Sequence, residues 1–116
     1  MVEIRSAVPR EYVSIRSIFE AALLEIETGL LRRTSVLIAV EEGRILGAIA
    51  LRGAEIEAIA IRPRRRGQGI GSMLINEAAN RRPTLAAGFD PSVRPFYASL
   101  GFNIVCEDDR CRGLLD

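Results

Sequence analysis

Apolar residues recur along this chain with two different spacings, and the switches between them mark out its elements. Residues 2–7, VEIRSA, alternate apolar and polar positions and predict a first strand. From Pro9 the spacing lengthens: Tyr12, Ile15, Ile18, Phe19, Ala22, Leu23 and Ile26 fall on one helical face, with Gly29 placed to end the helix. Only a short connection, Leu30 to Thr34, then leads to two strands, SVLIAVEE and ILGAIALRG, joined through Glu42-Gly43-Arg44 as a hairpin. Gly53 turns the chain into AEIEAIAI at 54–61, and Pro63 stops that strand. A helix from about Ile70 to Arg81 directs Met73, Leu74, Ile75 and Ala78 inward. TLAAGF at 84–89 reads as a short strand, Pro95 to Leu100 as a short helix and Phe102 to Cys106 as another strand, with CRGLLD returning beside it. This order predicts an α/β fold: one mixed central sheet of about six to seven strands with helices on both faces. A length of 116 residues suits a single domain over 1–116.

Composition narrows the chemistry. Hydrophobic residues make up 48% and charged residues 27%, the balance of a globular protein. No apolar run reaches the ~20 residues that cross a bilayer, and MVEIRSAVPRE lacks a signal peptide's apolar stretch, which predicts a cytoplasmic protein with no membrane partner. A net charge of +1 and few aromatic residues argue against a nucleic-acid partner. All 16 basic residues are arginine; lysine and histidine are absent. That removes Ser-His and Cys-His nucleophilic catalysis, Schiff-base lysines, histidine metal sites and a P-loop lysine. Any general base must be a carboxylate, cysteine, tyrosine or water held by one. Cys106 and Cys111 cannot complete a zinc site alone, so no metal is expected. They flank EDDR and could face each other across a hairpin; the default expectation is a free, partly buried pair, because cytoplasmic thiols stay reduced.

One stretch asks for a particular ligand. RRRGQGIGS, residues 64–72, sets three arginines against Gly67, Gly69 and Gly71, just ahead of a helix. Converging backbone N–H groups at a helix start bind phosphate, and glycine keeps side chains out of the way. A diphosphate is implied, with arginines to reach a further phosphate. A P-loop fails for want of its GK[ST] ending. The dinucleotide pattern GxGxxG fails because position 72 is Ser72.

Arg66, Gly69 and Gly71 instead fit R-x-x-G-x-G after an apolar strand, and VRPFYASLGF at 93–102 follows with an F-Y-x-x-x-G-F ending. Together these resemble the two conserved segments of the GNAT acetyltransferase superfamily, which binds acetyl-coenzyme A. The resemblance implies that strands four and five splay and that the pantetheine arm lies between them. It implies main-chain contacts from Ile59 and Ile61, a diphosphate held by Arg66, Gly67, Gln68, Gly69, Ile70, Gly71 and Ser72, and a coenzyme contact at Asp90, where relatives carry asparagine. It places the Tyr97 phenol beside the sulfur as general acid, and Glu55, with Glu57 two residues along in reserve, as the carboxylate base. The implied function is transfer of acetyl from acetyl-coenzyme A to a primary amine of a small molecule, peptide or protein by direct attack. The alternative is a noncatalytic acyl-coenzyme A sensor or partner subunit. The short connection after the first helix leaves one wall of the acceptor pocket thin, to be left open or completed by a second copy in a homodimer.

Overall fold

The computed structural model describes residues 1–116. One seven-stranded sheet runs through it in the order β1-β2-β3-β4-β5-β7-β6. The strands are β1 (Glu3–Ser6), β2 (Ser35–Glu41), β3 (Arg44–Arg52), β4 (Glu55–Ile61), β5 (Leu85–Phe89), β6 (Asn103–Glu107) and β7 (Arg110–Leu115). The helices are α1 (Tyr12–Ala21), α2 (Ile70–Arg81) and α3 (Arg94–Ser99). All neighbouring strands are antiparallel except β4 and β5. The mixed sheet with helices on both faces is therefore as expected. CRGLLD does more than return beside β6, however: as β7 it inserts between β5 and β6 and pairs with both.

β2 and β3 are buried on both faces, which is why they read as nearly unbroken apolar runs. Their alternate residues feed two cores. Val36, Ile38, Val40, Ala48 and Ala50 pack with Ile15, Ile18 and Phe19 of α1. Leu37, Ala39, Ile49 and Leu51 pack with Ile70, Leu74, Ile75 and Ala78 of α2 and with Tyr97 of α3. The hairpin between β2 and β3 turns at Glu42 and Gly43, both at positive φ, and Arg44 is already paired with Glu41. β6 is the outer strand; its charged tip, Glu107 to Asp109, discourages pairing with another chain.

Two expectations are corrected. α1 stops at Ala21, well before Gly29. The Leu24 N–H bonds the Phe19 carbonyl and the Leu23 N–H bonds the Glu20 carbonyl, closing a Schellman cap with Leu23 at φ 62°. Leu24 and Phe19 pack in the same core and supply the cap's apolar contact. The first helix therefore gives way to an irregular segment from residue 22, with one 3-10 turn at Leu30–Arg32 before β2, so the connection is longer than it looked. The second correction concerns the cysteines. A two-residue turn at Asp108-Asp109 sets Cys106 directly opposite Cys111, and the pair forms a disulfide with its Cα atoms 4.0 Å apart. Cross-strand register, invisible to a compartment argument, brings them together.

The entry to α1 is fixed by charge. Both Glu11 oxygens accept from Arg5, at 3.0 and 2.7 Å, and Oε1 also accepts from the Val8 N–H at 2.9 Å. The Arg5 guanidinium holds the Glu11 carboxyl at about 2, below the ordinary 4.5. A lowered carboxylate value stabilises the fold above pH 4.5 and loses that contribution as pH falls toward 2. Glu11→Gln should therefore lower stability near neutrality by on the order of 1 kcal/mol and flatten the acid limb between pH 4.5 and 2, as urea titrations at several pH values would read. Leu23→Gly should raise stability by about 0.5–1 kcal/mol, since the left-handed turn strains a leucine that is 92% exposed; the urea midpoint would move up.

Candidate functional site

β4 and β5 touch at one point. Glu55 lies opposite Ala86, the Ala86 N–H bonds the Ala54 carbonyl at 2.8 Å, and beyond them the strands diverge. β3 fills the far edge of β4, and β7 fills the far edge of β5 along Leu85–Phe89. Two unpaired strand edges therefore face each other across a gap. The Arg62 N–H bonds the Leu46 carbonyl on β3, so by strand alternation the peptide groups of Ile59 and Ile61 point the other way, into the gap. A cleft of about 920 Å³ occupies it.

The glycine segment closes one end of this cleft. Gly67 and Gly69 sit at φ 75° and 82°, the left-handed region that a side chain would strain, and Gly69 caps α2. Gly71 is needed for a different reason: a Cβ there would lie 3.2 Å from Phe96 Cζ on α3. None of the N–H groups of residues 67–72 donates to another backbone carbonyl. Six successive donors at a helix start are thus free, where the helix dipole favours negative charge. The arginines divide their tasks. Arg65 donates to Glu41 at 2.9 Å and to Gln68 at 2.8 Å, which lowers the Glu41 carboxyl value and ties down the Gln68 side chain. Arg66 Nε donates to the Ile61 carbonyl at 3.1 Å, holding its guanidinium beside the loop. Arg64 is exposed and makes no such bond.

Tyr97 forms the wall between the two strand ends. Its ring stacks on Phe89 at 4.2 Å and meets Phe96 and Phe102 edge-on. Only 5% of the residue is exposed. Burial alone pushes the phenol above its ordinary value of 10. No buried side-chain polar atom lacks a partner, and the phenol has none within the chain, so its oxygen opens onto the cleft. Asp90 also lines the cleft, but its Oδ1 accepts from the Ser92 N–H at 2.8 Å, which lowers its carboxyl value and starts the turn into α3.

The two candidate bases separate. Glu55 sits at the closed end of the gap, outside the cleft wall, in a two-pronged pair with Arg112 at 2.6 and 2.9 Å. Glu57 lines the cleft. Leu51 opposes Ile56 and Ala50 opposes Ala58, so Glu57 is the extra residue of a β-bulge. The bulge breaks simple alternation, and the Glu57 carboxylate bonds Arg52 at 3.1 Å. Sequence reasoning missed Ala22, Leu24, Gly88 and Arg110, which also line the cleft. Ala22 and Leu24 arrive through the Schellman cap, and Arg110 through the insertion of β7 beside β5; no local motif announces either.

Splayed strands, a glycine-turned helix start with free amides and a phenol in the gap make up the GNAT pattern. The acetyltransferase (GNAT) domain model matches residues 32–104. The chain belongs to the GNAT acetyltransferase family. It is 30% identical over 108 residues to the peptidyl-lysine N-acetyltransferase YjaB of Salmonella typhimurium, covering 86% of this chain and 72% of that one. Its fold is similar to an N-acetyltransferase from Staphylococcus aureus (TM-score 0.80, 19% identity, 100% of this chain and 98% of the other). It is also similar to Arabidopsis thaliana Naa50 in complex with a bisubstrate analogue carrying coenzyme A (TM-score 0.79, 17% identity, 97% and 96%). The chemistry of this GNAT protein is N-acetyl transfer from acetyl-coenzyme A. Gly69→Ala should therefore weaken acetyl-coenzyme A binding by a factor on the order of ten, about 1.4 kcal/mol, through strain at the loop; isothermal calorimetry checks it.

Proposed function

We propose that acetyl-coenzyme A enters along the β4–β5 gap from the α2 side and that a primary amine meets it from the α1 side. The observation that carries this reading is the run of unpaired amides at 67–72 opening onto the same cleft as the Tyr97 phenol. The amides of Gly67 to Ser72, with Arg66 beside them, hold the diphosphate. The peptide groups of Ile59 and Ile61 pair with the amide-rich arm of the coenzyme, as a strand edge would. No helix of the chain is long and apolar enough to cross a membrane.

The reaction then needs three things. The acceptor ammonium gives up a proton, through water, to Glu57, the carboxylate that lines the cleft. The free nitrogen forms a bond to the thioester carbonyl carbon, and the Ile61 N–H supports the negative charge that gathers on its oxygen. The carbon–sulfur bond breaks, and the Tyr97 O–H protonates the departing thiolate. Burial suits Tyr97 to that task, because a raised phenol value keeps the proton in place throughout the physiological range. Glu55, locked to Arg112, serves instead to brace the closed end of the gap.

Thiol release from acetyl-coenzyme A with a panel of amines tests the function, and silence across the panel despite tight coenzyme binding would overturn it. Tyr97→Phe, which keeps the ring packing, should cut kcat roughly a hundredfold while leaving the dissociation constant for acetyl-coenzyme A nearly unchanged. In the unmodified protein the midpoint of any alkaline loss of kcat from this group should lie above the ordinary phenol value of 10, because deprotonation is displaced upward.

A further inference from the structure

Three arginines line the cleft: Arg65, Arg66 and Arg110. Arg65 is matched by Glu41 and Gln68, and Arg66 by the Ile61 carbonyl. Arg110 is matched by nothing. No carboxylate lies within ion-pair distance of it, whereas its neighbours on that face are engaged, Arg112 with Glu55 and Arg52 with Glu57. Asp90 feels the charge of Arg110 but spends its oxygen on the Ser92 N–H.

The position of Arg110 is defined by β7. Cys111 and Gly113 face the core beneath α2 and α3, so Arg110 and Arg112 face the opposite side of the sheet, that of α1. One guanidinium nitrogen of Arg110 would lie 3.5 Å from a Cβ on Gly88, so the group rests over the bare backbone of β5 at the gap. The free amides of the glycine loop belong to the other side of the sheet. On the α1 side, Ala22 and Leu24 are the apolar neighbours, and Glu57 supplies the negative group.

A free planar donor fork and a carboxylate lining one cleft, on either side of the gap, suit a molecule with both charges. We propose that Arg110 selects acceptor amines that carry a carboxylate close to the amine, as in a free amino acid or a peptide with an acidic residue beside the acetylated amine. The guanidinium takes the carboxylate in a two-pronged contact, and Glu57 draws the ammonium. This inference rests on the acetyl-transfer reading of the cleft and adds the acceptor's chemical class to it.

The test separates the two claims. With coenzyme A bound, calorimetry compares N-acetylamino acids with their C-terminal amides. A parallel arm compares acetylated peptides bearing aspartate or asparagine beside the modified amine. The acids should bind at least tenfold more tightly than the amides in one arm or both, which also tells amino acid from peptide. R110Q should erase that preference, R110K should restore part of it, and none of these changes should alter affinity for coenzyme A. In turnover, R110Q should raise KM for the acidic acceptors about tenfold with kcat little changed. Equal binding of acids and amides, or a preference that survives R110Q, overturns the proposal. Turnover of uncharged amines without any acid preference would sink the Arg110 inference alone. An Arg110-dependent preference without turnover of any amine would instead sink the acetyl-transfer reading and uphold the contact.

Discussion

The site exists because β4 and β5 separate after one point of pairing. A parallel pair would normally continue its ladder, and each unpaired N–H or carbonyl left behind costs free energy if buried. Here each strand has its outer edge satisfied, β4 by β3 and β5 by β7, so the sheet survives with its centre open. The exposed inner edges leave backbone donors and acceptors facing the gap, the arrangement an extended, amide-rich molecule can pair with. The core beneath α2 and α3 joins both half-sheets, Leu37 and Ile49 from one with Leu85 and Phe89 from the other, and keeps them aligned while the gap stays open.

Much of this was legible in the sequence because it is written in local chemistry. α2 runs from Ile70 to Arg81 as the apolar spacing predicts, and the hairpin at Glu42-Gly43 follows from glycine's freedom at positive φ. The glycine loop was legible for its free amides, though at Gly71 it is Phe96 that leaves no room for a side chain. What could not be read depends on partners distant in the chain. The Glu57 bulge is set by register against β3, the place of β7 by pairing with β5, and the cysteine bridge by alignment across a hairpin. The early end of α1 was hidden because a leucine, not a glycine, takes the left-handed position. Tyr97 was found by its resemblance to a family segment; its burial and stacking came only with the structure.

An all-arginine set of cations has its own logic in a protein of this chemistry. Guanidinium groups remain charged at any physiological pH and hold planar partners in fixed geometry, as Arg5 does for Glu11 and Arg112 for Glu55. They are also poor nucleophiles. A protein that binds an activated acetyl donor thus presents it with no side-chain amine of its own.

The Cys106–Cys111 bridge across the β6–β7 hairpin closes a covalent ring that holds Arg110 and the charged tip, with Arg112 just outside it. The glycine loop stands on separate elements across the sheet. On the proposed roles of Arg110 and the glycine loop, residues at the ring can therefore drift and change which cargo is accepted, while the grip on the acyl carrier stays as it is. Recognition of donor and recipient become two traits free to evolve apart.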